Sequence, residues 1–219
     1  MDAASLDGLK LNLGCGPVQP KGWVNIDGSN RARLANKVWW LDQLLVKSKV
    51  LSPTEFGPHM KVANLFKPLP FPDNSVDAVY AGEVWEHFEF ADAERLTREC
   101  LRVLKVGGAL RVTVPDVVAL WGKYVRLYEA EMAKPRHERT STELHKLMGL
   151  FFDDIATRPR ILGSWGHFHK WMFDEVQLIE LFERCGFTQV ERMPFRKSRI
   201  AGIEGVQRSD MLTVEGVKP

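Results

Sequence analysis

The sequence predicts an α/β fold built on one mostly parallel sheet, and three observations predict it. Short runs of alternating apolar residues recur along the chain, separated by stretches with helical apolar spacing, the pattern of strands joined by crossover helices. The first such run stops at a Gly-Cys-Gly turn, and the second ends in a carboxylate, Asp27. In an open α/β sheet both features belong at the carboxyl edge of the strands, where ligands bind.

Each element has its own signal. "LKLNLG" (9–14) alternates and stops at glycine, as a short strand does. "GWVNID" (22–27) is the second strand. Over 32–50, Leu34, Val38, Leu41 and Leu45 fall near helical spacing and predict an amphipathic helix. "SPTEFGPH" (52–59) is broken by Pro and Gly and reads as loop. "KVANLF" (61–66) and "VDAVYAGE" (76–83) are the third and fourth strands. In 91–105, Leu96, Cys100, Leu101 and Leu104 share one helix face, and "VGG" is the expected stop. "ALRVTVPD" (109–116) is the fifth strand, and 118–132 the helix after it. A further helix is expected in 141–155 and another in 174–187, closed by Gly186. "TQVERMPF" (188–195) and "DMLTVEG" (210–216) complete the strands, with no helical pattern between them, so they suit an antiparallel pair. No linker divides the chain: 1–219 reads as a single domain, with a lid or insertion at about 135–170.

Composition narrows the function classes. A formal charge of +2 gives no reason to expect nucleic acid as the partner. No apolar run approaches the roughly 18 residues of a membrane span. The N-terminus lacks a basic region followed by an apolar stretch, so no cleaved signal is expected. Cys15, Cys100 and Cys185 are odd in number and sparse, which fits a reducing cytoplasm rather than a disulfide framework.

Gly14 and Gly16 lack a Cβ and let backbone N–H groups approach a ligand. A carboxylate at Asp27 can accept hydrogen bonds from both hydroxyls of a ribose. The ligand is not expected to be a dinucleotide. The fingerprint G-x-G-x-x-G requires glycine at 19, and Gln19 stands there. The stretch between Gly14 and Asp27 contains Pro17, Pro20 and Gly22, which leaves little room for the helix N-terminus a pyrophosphate wants. A nucleoside cofactor without phosphates fits better.

Taken together, "LNLGCGP", "NIDGS", "PLPFPDNSVDAVYAGEVWEHF", "RECLRVLKVGGALRVTVPD" and "HKWMFDEVQLIELFERCGF" resemble a class I S-adenosylmethionine-dependent methyltransferase, most closely the methyltransferase type 11 group. The similarity runs through most of 9–216, in the family's order. It implies a Rossmann-like seven-stranded sheet, helices on both faces, and a last strand that is antiparallel and inserted beside the fifth. It implies S-adenosyl-L-methionine as cofactor. Asn12, Gly14, Cys15 and Gly16 match the positions beside its methionine part. Asp27 matches the ribose-binding acid. Asn64 and Leu65 match the adenine contact, with Asn where the family commonly has Asp. The segment from Ala81, Gly82 and Glu83 to His87 matches the stretch after the fourth strand that passes under the methionine and the sulfonium. The stretch between Gly14 and Asp27 is shorter than the family's, so the first helix is expected to be truncated.

Methyl transfer needs alignment, exclusion of water and, for an alcohol acceptor, a base. Histidine is the side chain best suited to that proton near neutral pH. Glu86, His87, His167 and His169 are the catalytic candidates. Each has a plainer reading: His87 as a cap, Glu86 as an acid favoured by a helix dipole, the "GHFHK" pair as structural. No metal is expected, because two histidines without a neighbouring acid make a poor ligand set. Of Trp39, Trp40, Trp165 and Trp171, two are expected in the core. The acceptor implied is a small molecule or glycan, with a sugar-like hydroxyl preferred. The alternatives are a cofactor-binding regulator of the same fold without transferase activity, and a nicotinamide oxidoreductase on a similar sheet, which Gln19 and the missing helix disfavour.

Overall fold

The computed structural model describes residues 8–49, 60–152 and 169–219. In chain order it contains β1 (Lys10–Leu13), β2 (Val24–Asp27), α1 (Asn30–Lys37), α2 (Trp39–Lys47), β3 (Lys61–Val62), β4 (Val76–Gly82), α3 (Phe90–Val103), β5 (Leu104–Val114), α4 (Val117–Met132), α5 (Thr142–Phe152), α6 (Glu175–Cys185), β6 (Thr188–Arg192) and β7 (Leu212–Val217). The seven strands form one sheet in the order β3-β2-β1-β4-β5-β7-β6. β1 to β5 pair in parallel; β7 runs antiparallel to both β5 and β6. The expected insertion of the last strand beside the fifth is therefore present.

Strand period explains the layers. On one face, Leu11, Leu13, Ile26, Val79, Ala81, Leu110 and Val112 pack on Leu96 and Cys100 of α3 and on Leu178, Leu181 and Phe182 of α6. On the other face, Ala78, Tyr80 and Ala109 meet Trp23 and three residues of the β6–β7 connection, Ile200, Ile203 and Val206. That connection thus covers the central strands on the face opposite α3 and α6.

A buried polar staple holds it there. Arg111 of β5 and Glu215 of β7 face each other across the antiparallel pair and are both fully buried. The guanidinium donates to Glu215 Oε2 at 3.0 Å, to the Lys197 carbonyl at 2.8 Å, to the Pro194 carbonyl at 3.0 Å and to Gln207 Oε1 at 2.8 Å. Glu215 also accepts from Ser198 Oγ and from Arg199 Nε. Burial lowers the Arg111 pKa from its ordinary value, and the Glu215 charge partly restores it.

Local structure departs from the sequence reading in four places. The helix expected over 32–50 breaks at Val38, whose φ of −143° lies outside the helical region, so α1 and α2 are separate. The third strand shrinks to two residues, because Asn64 Oδ1 accepts the Phe66 N–H at 2.9 Å and turns the chain out of the sheet. The "VGG" sequence does not end α3. The chain enters β5 directly at Leu104, and Gly107, at φ +80°, lies within that strand. The tryptophans expected in the core are not there: Trp39, Trp40 and Trp171 are 48%, 65% and 38% exposed, and Trp165 lies outside the described residues.

Candidate active site

The strand order reverses between β1 and β4, and the carboxyl ends of both lie side by side, with Leu13 paired to Ile26 on one side and to Ala81 on the other. Ligand sites form at such a reversal. Here β1 runs into Gly14 and Gly16, both left-handed at φ +61° and +50°. A Cβ on Gly14 would stand 2.4 Å from Val84 Cγ2, whereas nothing lies within 4 Å of one on Gly16. The first glycine permits close packing on Val84, just beyond β4; the second leaves an open cradle of backbone.

Asp27 closes this loop from the next strand. Its Oδ2 accepts the Gly16 N–H at 2.9 Å and its Oδ1 the Ser29 N–H at 2.7 Å, and the residue is only 7% exposed. Ser29 in turn caps α1 by accepting the Ala32 N–H at 3.1 Å. No helix forms between Gly14 and Asp27. An asparagine pair stands in for it. Asn12 Nδ2 donates to the Val18 carbonyl at 2.9 Å and to Asn25 Oδ1 at 3.0 Å, and Asn25 Nδ2 reaches the Pro20 carbonyl at 3.3 Å. Asn12 therefore holds the loop in shape. Asn25 was missed by sequence reasoning; the "NLG" and "NID" asparagines are each two residues before a turn residue or acid, a signal that becomes useful only once strand register is known.

Cys15 points inward against Ala32 and Met60. Burial first, and the Asp27 charge second, push its thiol up to about 12 from an ordinary 9.0. Cys185 is pushed up to about 11, also chiefly by burial, and the fully buried Cys100 is raised as well. A maleimide or iodoacetamide trace on the folded protein at mildly alkaline pH should therefore show labelling slower than that of free cysteine by on the order of a hundredfold or more. All three thiols should react on unfolding. Fast native labelling at Cys15 would show that the loop does not pack as described.

Beyond β3, the Ala63 N–H donates to the Asp27 carbonyl at 3.2 Å, which brings Asn64 and Leu65 beside the acid. A Cβ on Gly28 would meet the Ala63 carbonyl oxygen at 2.5 Å, so this approach requires glycine. Asn64 is exposed and Leu65 buried, with the Leu65 carbonyl accepting from Arg95 at 3.1 Å. Phe66 follows, exposed, and its ring lies 4.7 Å from that of Phe88.

At the end of β4, Ala81 is buried, and a Cβ on Gly82 would meet the Tyr80 hydroxyl at 2.4 Å. Glu83 takes a left-handed φ of +58°, its N–H held by the Thr113 carbonyl at 2.8 Å and its carboxylate by Ser209 Oγ. Ser209 belongs to the β6–β7 connection, and no sequence signal singled it out.

A turn of 3-10 helix, Trp85–His87, comes next. Trp85 anchors it, fully buried, with Nε1 donating to Thr97 Oγ1 at 3.0 Å. The Glu86 carbonyl accepts the Lys170 N–H at 2.7 Å and the Trp171 N–H at 3.2 Å, which docks the chain before α6 onto this turn. The result is that His87 and His169 lie with ring centroids 5.3 Å apart beside a Glu86 that is 1% exposed. One ligand atom from each of Glu86, His87 and His169 lies within 4.8 Å of the others. Three of the four catalytic candidates are thus brought together, and His167 lies outside the described residues. The premise that no acid stands near the histidine does not survive: the acid comes from a distant part of the chain. Trp171, two residues from His169, packs its ring on Phe90 with centroids 5.2 Å apart, and the Lys170 ammonium lies 5.8 Å from the Phe66 ring centre.

Residues 11–112 match the family model Methyltransf_11, a methyltransferase domain. Similar solved structures share the architecture. A SAM-dependent methyltransferase from Thermotoga maritima, described as a possible histamine N-methyltransferase, is 17% identical, with 97% of this chain and 83% of that one covered at a TM-score of 0.50. A SAM-dependent methyltransferase from Methanosarcina mazei is 16% identical over 99% of this chain and 95% of that one, also at 0.50. One from Archaeoglobus fulgidus is 12% identical over 97% and 88%, again at 0.50. No protein of curated function matches the chain. No helix among the described residues is long and apolar enough to cross a membrane.

Proposed function

We propose that this chain, a class I S-adenosylmethionine-dependent methyltransferase by its matched domain and its sheet, methylates a hydroxyl oxygen of a small, sugar-like acceptor. The observation that carries the cofactor side is the Asp27 carboxylate closing the open Gly14–Gly16 loop at the strand-order reversal. When bound, S-adenosylmethionine supplies a methyl carbon activated by a sulfonium. Gly14, Cys15 and Gly16 offer backbone to its methionine end, with Asn12 shaping the loop from behind. Asp27 accepts from the ribose hydroxyls, Asn64 and Leu65 flank the adenine, and Ala81, Gly82 and Glu83 form the floor.

On the acceptor side, the Glu86–His87–His169 cluster assists removal of the proton from the hydroxyl. An amine acceptor has less need of such a group, which is what favours oxygen. Phe66 and Trp171, both partly exposed, would suit a ring-shaped acceptor. Incubation of the protein with labelled cofactor and a cell extract tests the reading. Label in a low-molecular-weight polyol or glycan is the expected result, and label confined to nucleic acid or protein would overturn it.

The cofactor assignment has its own test. Asp27→Ala should weaken binding of the demethylated cofactor by about 1–3 kcal/mol in calorimetry, the effect of leaving ribose hydroxyls and the Gly16 N–H without an acceptor. Unchanged affinity would remove Asp27 from the site.

A further inference from the structure

We infer that Glu86, His87 and His169 form a binding site for one divalent transition-metal ion. The reasoning begins with donor chemistry. Two imidazoles and one carboxylate are a ligand set that suits zinc, iron, cobalt or manganese, and it leaves coordination positions open. The three groups converge so that a ligand atom from each lies within 4.8 Å of the others, a spacing a single ion can bridge with small side-chain rotations.

The second point is rigidity. Glu86 and His87 sit on the Trp85–His87 turn, which buried Trp85 pins to Thr97 of α3. His169 is fixed to the same turn through the backbone, by the Lys170 and Trp171 N–H groups on the Glu86 carbonyl. All three ligands are therefore carried by backbone that is held independently of any ion. The third point concerns His169 itself, whose Nδ1 is buried without a hydrogen-bond partner among the described residues. A buried ring nitrogen left in that state is unfavourable, and coordination would resolve it.

The position of the site gives the ion its role. The turn follows directly from the floor formed by Ala81, Gly82 and Glu83, so an open coordination position lies next to where the acceptor must sit. There the ion would bind the acceptor's hydroxyl oxygen and ease loss of its proton to water. This role, unlike the site itself, rests on the methyl-transfer reading above.

Cobalt(II) alone is the probe. Full-length protein, stripped with chelator and dialysed, should bind one ion per chain and develop visible ligand-field bands. His169→Ala and Glu86→Gln should each weaken cobalt binding by more than the roughly 10–100-fold seen when a residue that only orients a metal ligand is lost. Circular dichroism and affinity for the demethylated cofactor establish that each variant is folded. Absence of the bands in folded, cofactor-binding protein would overturn the inference, as would bands that persist unchanged in both variants. Methylation that survives chelator, with no cobalt bound, would leave the transferase reading standing and reduce the cluster to proton transfer. Cobalt binding without any methylated product would keep the site and overturn the reading of its use.

Discussion

His169→Ala is expected to lower turnover by about 100- to 10,000-fold, the usual size of assistance to proton removal in the transition state, which is lost with this side chain whether it takes the proton itself or ligates the ion that eases its departure. Affinity for the cofactor should stay nearly unchanged, because Asp27 and the glycine loop are carried by β1 and β2, and among the described residues they share no hydrogen bond with the histidine. The substitution is a clean one. The segment is docked through the Lys170 and Trp171 backbone N–H groups, and these survive truncation of the His169 side chain. Single-turnover rates on a saturating acceptor, with calorimetry of the cofactor product, separate the two quantities. Glu86→Gln should fall in the same direction, since it removes the carboxylate that lies within 4.8 Å of a nitrogen of each imidazole. His167→Ala tests the other histidine that the sequence nominated. Full turnover in the His87, His167 and His169 variants would show that positioning alone carries the reaction.

The second large effect concerns stability. Glu215→Ala should destabilise the fold by about 3–5 kcal/mol, because Arg111 would remain buried with its charge uncompensated. Three of the Arg111 contacts are to the 194–207 segment, so the β6–β7 connection should loosen from the sheet and with it Ser209 from Glu83. Replacing both partners with apolar residues, Arg111→Met with Glu215→Leu, should restore much of the loss. The remaining deficit would come from the Lys197 and Pro194 carbonyls left without donors. Urea unfolding of the two single variants and the double variant gives the comparison. A Glu215→Ala loss below about 1 kcal/mol would mean that water reaches the guanidinium and that the staple is weaker than its burial implies.

Much of the proposed cofactor side was legible in the sequence. Gly14, Gly16 and Asp27 announce themselves because each answers a local demand: a backbone turn no L side chain takes easily, or an acid at the end of a short alternating run. The truncated first helix was legible for the same reason, since proline and glycine act on their own neighbours. The proposed acceptor side was visible only as fragments. "WEHF" and "GHFHK" each supplied candidates, but neither could reveal the other's company.

Alone, then, the sequence determined the alternation of strands and helices, the strand that each candidate cofactor residue ends, and the lack of room for a full helix after β1. These follow from periods of 2 and 3.6 and from single-residue stereochemistry, which act over a few residues. Tertiary structure alone decided that Glu86, His87 and His169 meet, that Arg111 pairs with Glu215 inside the fold, and that Trp39, Trp40 and Trp171 stay at the surface. Each of those outcomes depends on register between strands and on the docking of segments far apart in the chain. The energy that sets them comes from burying whole faces, and no local pattern carries it.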